Sequence, residues 1–261
     1  MSIRLALVIA TATLCFSSTP VRAQRTPAPP QPVAGESALP QSPPNICGQY
    51  GSTVYDMVQW IVQTYPGADT SYLGQQNNSQ GPISDFSKWD SVKRRFYRVT
   101  DIWGSNEVYD YDDNYIYNRR ETKYQNPTDF YLSTSNYIWA PRYAITANTP
   151  QHQACFNTRT SSAYDEYSGC QKIGSGGAPF LVSVSGPFTL TLGGNVGTVQ
   201  ALRLNQTNLN VFETESYWYA RPYGFVYYER RDAGGNLLVS ETHNTIYTPE
   251  PPLALSCGIG Y

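Results

Sequence analysis

Charged side chains are scarce in this sequence. Asp, Glu, Lys and Arg together make up 15% of its 261 residues, below the roughly 25% of an ordinary soluble domain. Lysine occurs only at Lys88, Lys93, Lys123 and Lys172. Basic residues number 18 and acidic residues 20, and this near-neutral balance argues against a protein that grips nucleic acid through many phosphates.

Several catalytic and metal-binding motifs are also missing. There is no Cys-x-x-Cys pair, which argues against redox catalysis. Histidine occurs only at His152 and His243, and neither position has the spacing of a zinc ligand. A Gly-x-Ser-x-Gly motif and the phosphate-loop and dinucleotide fingerprints are absent as well. These absences favour a protein that is not an enzyme and that holds no cofactor.

Long apolar runs are lacking except near the start. Leu5 to Phe16 is apolar but shorter than the roughly 20 residues that span a bilayer. Arg4 precedes this run and a small-x-small site, Val21-Arg22-Ala23, follows it. This arrangement predicts a secretory signal peptide over residues 1–23 and a secreted or periplasmic protein without a transmembrane segment.

Composition divides the rest of the chain into two parts. Residues 24–45 contain seven prolines among Ala, Gln and Ser, a composition that cannot bury a core and that favours an extended linker. Residues 46–261 contain no second linker and no internal repeat, and they are predicted to form a single β-rich domain.

Four cysteines remain once the predicted signal peptide is removed. An even number of cysteines in an exported chain predicts two disulfides, with three possible pairings. We expect Cys155–Cys170, which closes a short polar loop, and Cys47–Cys257, which ties the start of the domain to its end.

Aromatic residues are abundant. They make up 14% of the chain, and 22 of them are tyrosines, which excludes a coiled coil, a collagen and a disordered chain. Many lie in short stretches bounded by Gly, Pro, Asn and Asp, such as the predicted hairpins 107–111 with 115–121 and 223–231 with 237–247. This pattern predicts mainly antiparallel β structure, either a jelly-roll-like sandwich or a strongly curved half-barrel.

One segment is predicted to be helical. Thr53 and Asp56 form a capping pattern, and Val54, Met57, Val58, Ile61, Val62 and Tyr65 then follow a period of 3.6 residues. Tyr65-Pro66-Gly67 ends the segment. We expect this amphipathic N-terminal helix to pack on the sheet.

The aromatic excess suggests a ligand surface. Side chains at positions i and i+2 of a strand share a face, so pairs of tyrosines can line up as a platform for sugar rings. The alternative is a set of cross-strand aromatic pairs that only stiffen the sheet. The candidate ligand-binding residues are Trp103, Tyr109, Tyr111, Tyr115, Tyr117, Trp139, Trp218 and Tyr219.

An acidic turn resembles part of a calcium-binding loop. Asp110, Asp112, Asn114 and Glu121 occupy positions 1, 3, 5 and 12 of such a loop. Tyr115 stands where that loop requires glycine, and the flanking residues alternate as strands do. A solvated hairpin turn is therefore the favoured interpretation, and a calcium site is the alternative.

Three carboxylates are candidates for catalysis. Glu213, Glu215 and Glu229 lie near strand ends beside Tyr and Trp, and two carboxylates about 5–10 Å apart can hydrolyse glycosides. The alternative is that these glutamates pair with Arg221, Arg230 or Arg231.

Together these patterns predict a secreted, non-catalytic protein that binds a polysaccharide or similar extracellular ligand through Tyr and Trp. One alternative is a carrier of an apolar small ligand on a curved sheet, which requires a cavity lined by Val, Leu and Phe. A second is a carbohydrate-active enzyme, which requires carboxylates that face each other across a cleft. A third is a structural role at the cell envelope, with the Pro-rich segment as a spacer.

Overall fold

The computed structural model describes residues 46–61, 72–78, 81–90, 94–100, 105–122, 126, 128–194, 196–247 and 257. The predicted signal peptide and linker lie outside these residues. The elements are α1 (Ile46–Tyr50), β1 (Ser52–Asp56), α2 (Val58–Ile61), β2 (Tyr72–Asn78), β3 (Gly81–Asp90), β4 (Arg95–Thr100), β5 (Ser105–Tyr111), β6 (Tyr115–Thr122), β7 (Phe130–Ser133), β8 (Ile138–Pro141), β9 (Tyr143–Ala147), β10 (Asn157–Ser161), β11 (Tyr164–Ser168), β12 (Gln171–Gly176), β13 (Pro179–Gly193), β14 (Gly197–Asn208), β15 (Thr214–Ala220), β16 (Gly224–Arg231) and β17 (Leu237–Tyr247).

The strands form one large sheet and one small one, and every pairing is antiparallel. β1 pairs with β9 in the small sheet. The large sheet runs in the order β10-β13-β14-β15-β16-β17-β2-β3-β4-β5-β6-β7-β11-β12, with β8 on the side of β6. The prediction of mainly antiparallel β structure is therefore confirmed.

The core lies between two sets of strands. One set is β5, β6 and β8 of the large sheet together with β9 of the small sheet, and the other set is β13 to β16 of the large sheet. Alternation along the strands produces this layer, because every second residue points to the same face. Val182 and Val184 on β13 and Leu202 and Leu204 on β14 follow this spacing, and all four are buried.

The predicted N-terminal helix is shorter than the periodicity indicated. Residues 52–56 form β1, and Val54 is 58% exposed. Asp56, rather than Thr53, caps the helix, since the Val58 N–H donates to Asp56 Oδ1 at 3.1 Å. The β-branched and aromatic residues Thr53, Val54 and Tyr55 favour a strand, and hydrogen bonding with β9 stabilises it. Residues 62–65 of the predicted stripe lie outside the described residues.

The described part of that helix does pack on the sheet. Met57, Val58 and Ile61 are buried in the core between the two sets of strands. The Arg142 guanidinium holds the start of α2 in place through a bidentate pair with Asp56, with N–O distances of 2.8 and 3.1 Å. This arrangement joins α2 to the corner between β8 and β9.

Two disulfides are present, as predicted, but the predicted pairing is wrong. Cys47 pairs with Cys155 and Cys170 pairs with Cys257, with Cα–Cα distances of 5.7 and 5.5 Å. β10 and β11 follow each other in the sequence, yet β10 pairs with β13 whereas β11 pairs with β7 and β12. Because these strands diverge, Cys155 before β10 and Cys170 after β11 are separated, and the short loop is not closed.

Candidate functional site

A cleft of about 320 Å³ opens where the two ends of the large sheet approach each other. Residues of β5, β6, β7, β8 and β11 line it together with residues of β13, β14 and β15. We call it the aromatic–carboxylate cleft. Its lining residues are Glu107, Asn118, Glu121, Tyr131, Ser133, Tyr137, Trp139, Ser162, Tyr164, Phe180, Gln206, Glu215 and Tyr217.

A β-bulge on β6 places two polar residues in the lining of this cleft. Glu107 stands opposite Glu121, and Tyr109 stands opposite Asn118, so Arg119 is an extra residue in the ladder. In a regular strand, positions 118 and 121 would point to opposite faces. The extra residue brings both side chains to the cleft, in the way that bulges redirect side chains near sites.

Trp139 is the centre of the aromatic part of the cleft. Its ring is 6% exposed and makes edge contacts with Tyr109, Tyr137 and Tyr217 at centroid distances of 5.1, 6.4 and 4.6 Å. The indole Nε1–H donates to the Tyr219 hydroxyl at 3.2 Å. These contacts hold the aromatic part of the cleft in one arrangement, in which the other three rings stand at 62–86° to the Trp139 ring rather than parallel to it.

Hydrogen bonds fix the polar side chains among these rings. The Tyr137 hydroxyl donates to Gln206 Oε1 at 2.8 Å, and Gln206 Nε2 donates to the Trp139 carbonyl at 2.8 Å. Burial, and then the negative charges of Glu215 and Glu121, raise the pKa of Tyr137. The Tyr137 hydroxyl therefore stays protonated and lies within the field of carboxylates from two sides of the cleft.

Tyrosine hydroxyls also hold two of the carboxylates. The Tyr217 hydroxyl donates to Glu215 Oε2 in a short hydrogen bond, and the Tyr109 hydroxyl donates to Glu107 Oε2 at 2.7 Å. Burial and the Glu215 charge raise the pKa of Tyr217 well above its ordinary value, so that hydroxyl remains a donor. Neutral donors orient a carboxylate without cancelling its charge.

Asn118 contributes a polar side chain to the cleft. It is 7% exposed and lines the cleft. Its backbone N–H donates to the Tyr137 carbonyl at 3.2 Å, which joins β6 to the segment that precedes β8.

Most of the candidate ligand-binding aromatics lie elsewhere. Of the eight, Trp139 lines the cleft. Trp103 lies outside the described residues. Tyr109, Tyr117, Trp218 and Tyr219 are buried in the sheet packing, and this burial excludes them from an open platform of flat rings. Tyr111 is half-buried, with the Arg94 and Arg142 guanidinium groups 5.0 and 4.8 Å from its ring centroid.

Tyr115 lines a second depression, which we call the Tyr143 groove. This groove has a volume of about 240 Å³. Tyr143 and Phe156 on its rim are 48% and 67% exposed. No charged side chain is found among its described lining residues, which are Asn114, Tyr115, Pro141, Tyr143, Ala144, Ile145, Phe156, Thr158 and Val184.

One of the three candidate catalytic glutamates lies in the aromatic–carboxylate cleft. Glu215 lines it, whereas Glu229 accepts two hydrogen bonds from Arg231, at 3.1 and 3.0 Å. Glu213 lies in the turn before β15, where its carbonyl accepts from the Asn208 N–H. No sequence pattern selects Glu107 or joins Glu121 to Glu215, since both depend on the bulge and on the approach of distant strands.

The four candidate calcium ligands do not converge. Asp110 pairs with Arg119 at 2.8 Å, and Glu121 lies in the aromatic–carboxylate cleft. Asp112 Oδ1 accepts the N–H groups of Asn114 and Tyr115 at 2.7 and 2.8 Å. No group of three His, Cys, Asp or Glu within the described ranges is placed to hold a metal ion. The acidic segment forms the solvated hairpin turn that the sequence favoured.

The Asp112 carboxylate organises this turn, and its contribution depends on pH. Partial burial raises the pKa of Asp112, but hydrogen bonds from Tyr115, Asn114 and the Tyr117 hydroxyl outweigh burial, so the pKa lies below its ordinary value. Burial and the Asp112 contact in turn raise the pKa of Tyr117 to about 12. A depressed carboxyl pKa stabilises the folded state above the ordinary pKa, and this stabilisation is lost as the pH falls through the folded-state pKa.

We therefore expect Asp112→Asn to lower the free energy of unfolding at pH 7 by about 1 kcal/mol, a low value for charge-assisted hydrogen bonds because the turn is solvated. The difference in free energy of unfolding between variant and wild type should shrink as the pH falls below about 4, the ordinary carboxyl pKa. Urea denaturation at pH 7 and at pH 3 measures this difference at each pH. Asp113→Asn is the matched control, since Asp113 is 88% exposed and pairs only at the surface with Arg94. An undiminished difference at pH 3 would contradict this assignment.

Comparisons with known proteins give no relative for this arrangement. The chain matches no protein-family model, no curated protein and no solved structure. Neither described helix has the length and apolar character needed to cross a membrane. The interpretation of the site therefore depends on its own chemistry.

Proposed function

We propose that this chain is an exported, non-catalytic protein that binds an extracellular glycan in the aromatic–carboxylate cleft. The observation that carries the proposal is the lining of this cleft, where Tyr and Trp rings alternate with amide, hydroxyl and carboxylate groups. Aromatic rings with polar tips suit a ligand that is apolar on its ring faces and polar at its edges. A volume of about 320 Å³ falls within the roughly 300–1,000 Å³ of small-molecule sites.

Export is supported by the covalent framework. Disulfides persist in oxidising compartments and are rare in the cytosol, and this domain carries two that join distant segments. The apolar-carrier alternative receives less support, because Phe180 is the only Val, Leu or Phe among the described residues that line the cleft.

Intrinsic fluorescence tests the proposal. The oxidised mature chain, residues 24–261, is titrated with a panel of soluble oligosaccharides and with a lipid set, and Trp139 reports occupancy of the cleft. We expect a saturable change with at least one glycan. No fluorescence change with any glycan, or a change with lipid alone, would overturn the glycan proposal.

A matched pair of tyrosine variants locates the binding. Tyr164→Ala removes a ring from the wall of the aromatic–carboxylate cleft, and Tyr143→Ala removes an exposed ring from the Tyr143 groove. Loss of one aromatic contact of about 1 kcal/mol weakens binding roughly fivefold. We expect this loss for Tyr164→Ala and an unchanged affinity for Tyr143→Ala. The reverse result would move the glycan site to the Tyr143 groove.

A glycoside-cleaving enzyme is the second candidate. It is favoured by one observation, that Glu215 on β15 shares the cleft with Glu107 and Glu121 on β5 and β6. Release of reducing sugar during the titrations would support it. Glu215→Gln would then abolish sugar release while retaining glycan binding, because hydrolysis requires a carboxylate that donates or accepts a proton or attacks the sugar.

A further inference from the structure

We propose that this protein binds its glycan at the surface of a lipid bilayer, and that two apolar turns beside the aromatic–carboxylate cleft insert into that surface. The inference rests on the proposed glycan-binding function and specifies the glycan as the headgroup of a glycolipid. The two turns join β14 to β15 and β16 to β17. We call residues 209–213 and 232–238 the apolar turns.

Large apolar side chains project into solvent from both apolar turns. Val211 and Phe212 in the first turn are 52% and 62% exposed. Leu237 and Leu238 at the end of the second turn are 49% and 45% exposed. Turns are usually built from Gly, Pro, Asn, Asp and Ser, so four exposed apolar side chains at two turns are unusual. Exposed apolar patches mark sites of contact with a protein or a membrane.

Register places the two turns at the same end of the large sheet. Thr214 at the start of β15 stands opposite Arg231 of β16. Arg231 in turn stands opposite Leu237 of β17, and Leu238 follows as the extra residue of a β-bulge. Neighbouring strands lie about 4.8 Å apart, so the two turns are about 10 Å apart across the strands. Both turns can therefore contact one flat surface at the same time.

The aromatic–carboxylate cleft lies beside this end of the sheet. Gln206 and Glu215 both line it, and they stand opposite each other on β14 and β15. Phe180, another lining residue, stands opposite Asn208, the last residue before the first turn. Glu215 and Phe212 are three residues apart, which corresponds to about 10 Å of extended chain. A bilayer in contact with the apolar turns therefore brings its headgroups to the cleft.

The backbone at Phe212 is unfavourable for folding alone. Its φ is 57°, in the left-handed region that bulky side chains rarely adopt and that Gly and Asn adopt readily. The Phe212 N–H donates to the Asn208 carbonyl at 2.7 Å, which closes the turn in this conformation. A mostly exposed ring adds little packing in return, and local conflicts of this kind are expected at functional sites.

The size of the patch favours a bilayer over a protein partner. A stable protein interface takes about 20–30 residues from each side, whereas the apolar turns present four side chains. A small apolar contact gives weak, reversible membrane binding, and stable attachment requires a second signal. A headgroup held in the cleft supplies that signal, because two linked weak contacts reinforce each other.

Vesicle sedimentation with the mature chain tests the inference. The probes are phosphatidylcholine vesicles and the same vesicles carrying an oligosaccharide coupled to phosphatidylethanolamine. The oligosaccharide is the one with the largest response in the fluorescence titration, which is also measured free in solution. We expect binding to be about tenfold or more tighter on glycan-bearing vesicles than in solution, since the bilayer contact adds to the headgroup contact. Equal affinities would overturn the inference.

Phe212 and Phe156 form a matched pair for substitution. Both are exposed phenylalanines, at 62% and 67%, but Phe156 lies on the rim of the Tyr143 groove. We expect Phe212→Asn to weaken binding to glycan-bearing vesicles about tenfold, because it removes one apolar side chain from the bilayer contact. Its affinity for the free oligosaccharide should not change. Phe156→Asn should leave both affinities unchanged.

Folding does not confuse this comparison, because Asn tolerates the left-handed backbone at position 212. Urea denaturation should therefore show no loss of stability in Phe212→Asn. Leu238→Asn repeats the vesicle measurement on the second turn, and we expect weaker binding there as well. Equal losses in Phe212→Asn and Phe156→Asn would contradict a bilayer contact at the apolar turns.

Tryptophan at the same two positions reports the contact directly. Brominated phosphatidylcholine quenches only those indoles that reach the bilayer. In glycan-bearing vesicles that contain it, we expect added quenching for Phe212→Trp relative to wild type and none for Phe156→Trp. No added quenching for Phe212→Trp would overturn the inference.

The same measurements separate failure of this inference from failure of the glycan proposal. Binding of the free oligosaccharide with no gain on vesicles would retain the glycan function and overturn the bilayer contact. Binding to plain vesicles without a response to any oligosaccharide would overturn the glycan function and support the bilayer contact. Binding to neither would overturn both.

Discussion

Phe130→Ala is expected to lower the free energy of unfolding by about 3–5 kcal/mol, as for other fully buried phenylalanines. Phe130 on β7 is completely buried. Its ring stacks on Tyr167 of β11 at a centroid distance of 4.6 Å and an interplanar angle of 7°. On the same ring lies the buried Arg120 guanidinium, 3.8 Å from the centroid. Removal of the ring therefore leaves a cavity and also removes a desolvated cation–π contact.

Chemical denaturation of the wild type and the variant measures this loss. Phe130→Leu is the control, because it keeps much of the apolar volume and loses the flat ring. We expect the free energy of unfolding of Phe130→Leu to lie between those of Phe130→Ala and the wild type. An aliphatic side chain restores apolar volume but does not replace the cation–π contact with Arg120. A loss below about 1 kcal/mol for Phe130→Ala would be typical of a surface position and would contradict the described packing.

Removal of either disulfide is expected to cost about 4–5 kcal/mol in the chain-entropy model. Cys47–Cys155 spans 108 residues and Cys170–Cys257 spans 87, and long closed loops restrict the unfolded chain most. The double variants Cys47→Ser with Cys155→Ser and Cys170→Ser with Cys257→Ser isolate each bond. Denaturation under oxidising conditions gives the stability of each.

The same double variants determine the pairing through a thiol count. In the structure, the double variant Cys47→Ser with Cys155→Ser keeps the Cys170–Cys257 disulfide. The denatured variant should therefore show no free thiol at Cys170 or Cys257. The pairing expected from the sequence would leave Cys170 and Cys257 without their partners and would expose both thiols. Two reactive thiols would therefore contradict the described disulfides.

Local sequence signals predicted the hairpins well because the turn and the alternation lie in the same short segment. The expected strand 237–247 is β17 and the expected 115–121 differs from β6 by one residue. β2 and β3 went unpredicted, since the run Gln75-Gln76-Asn77-Asn78 has little β-propensity. Pairing with β17 on one side and β4 on the other stabilises these strands, and that information is not local.

The candidate site could be predicted only in part for the same reason. Trp139 and Glu215 were selected because their residue types are typical of binding and catalysis. Asn118 and Glu121 reach the cleft through a bulge that depends on the register between β5 and β6, and Glu107 joins them only in the folded sheet. A pattern of residue types along one strand carries no information about which distant strand will face it.

The pairing of β17 with β2 also determines when the large sheet can be completed during synthesis. These strands are neighbours in the large sheet, yet the ribosome synthesises β2 early and β17 near the end. Until β17 emerges, β2 has an open edge, and the two halves of the sheet cannot join. Contacts between such distant segments slow folding, so completion of the large sheet waits for β17, and the two halves of the sheet join last.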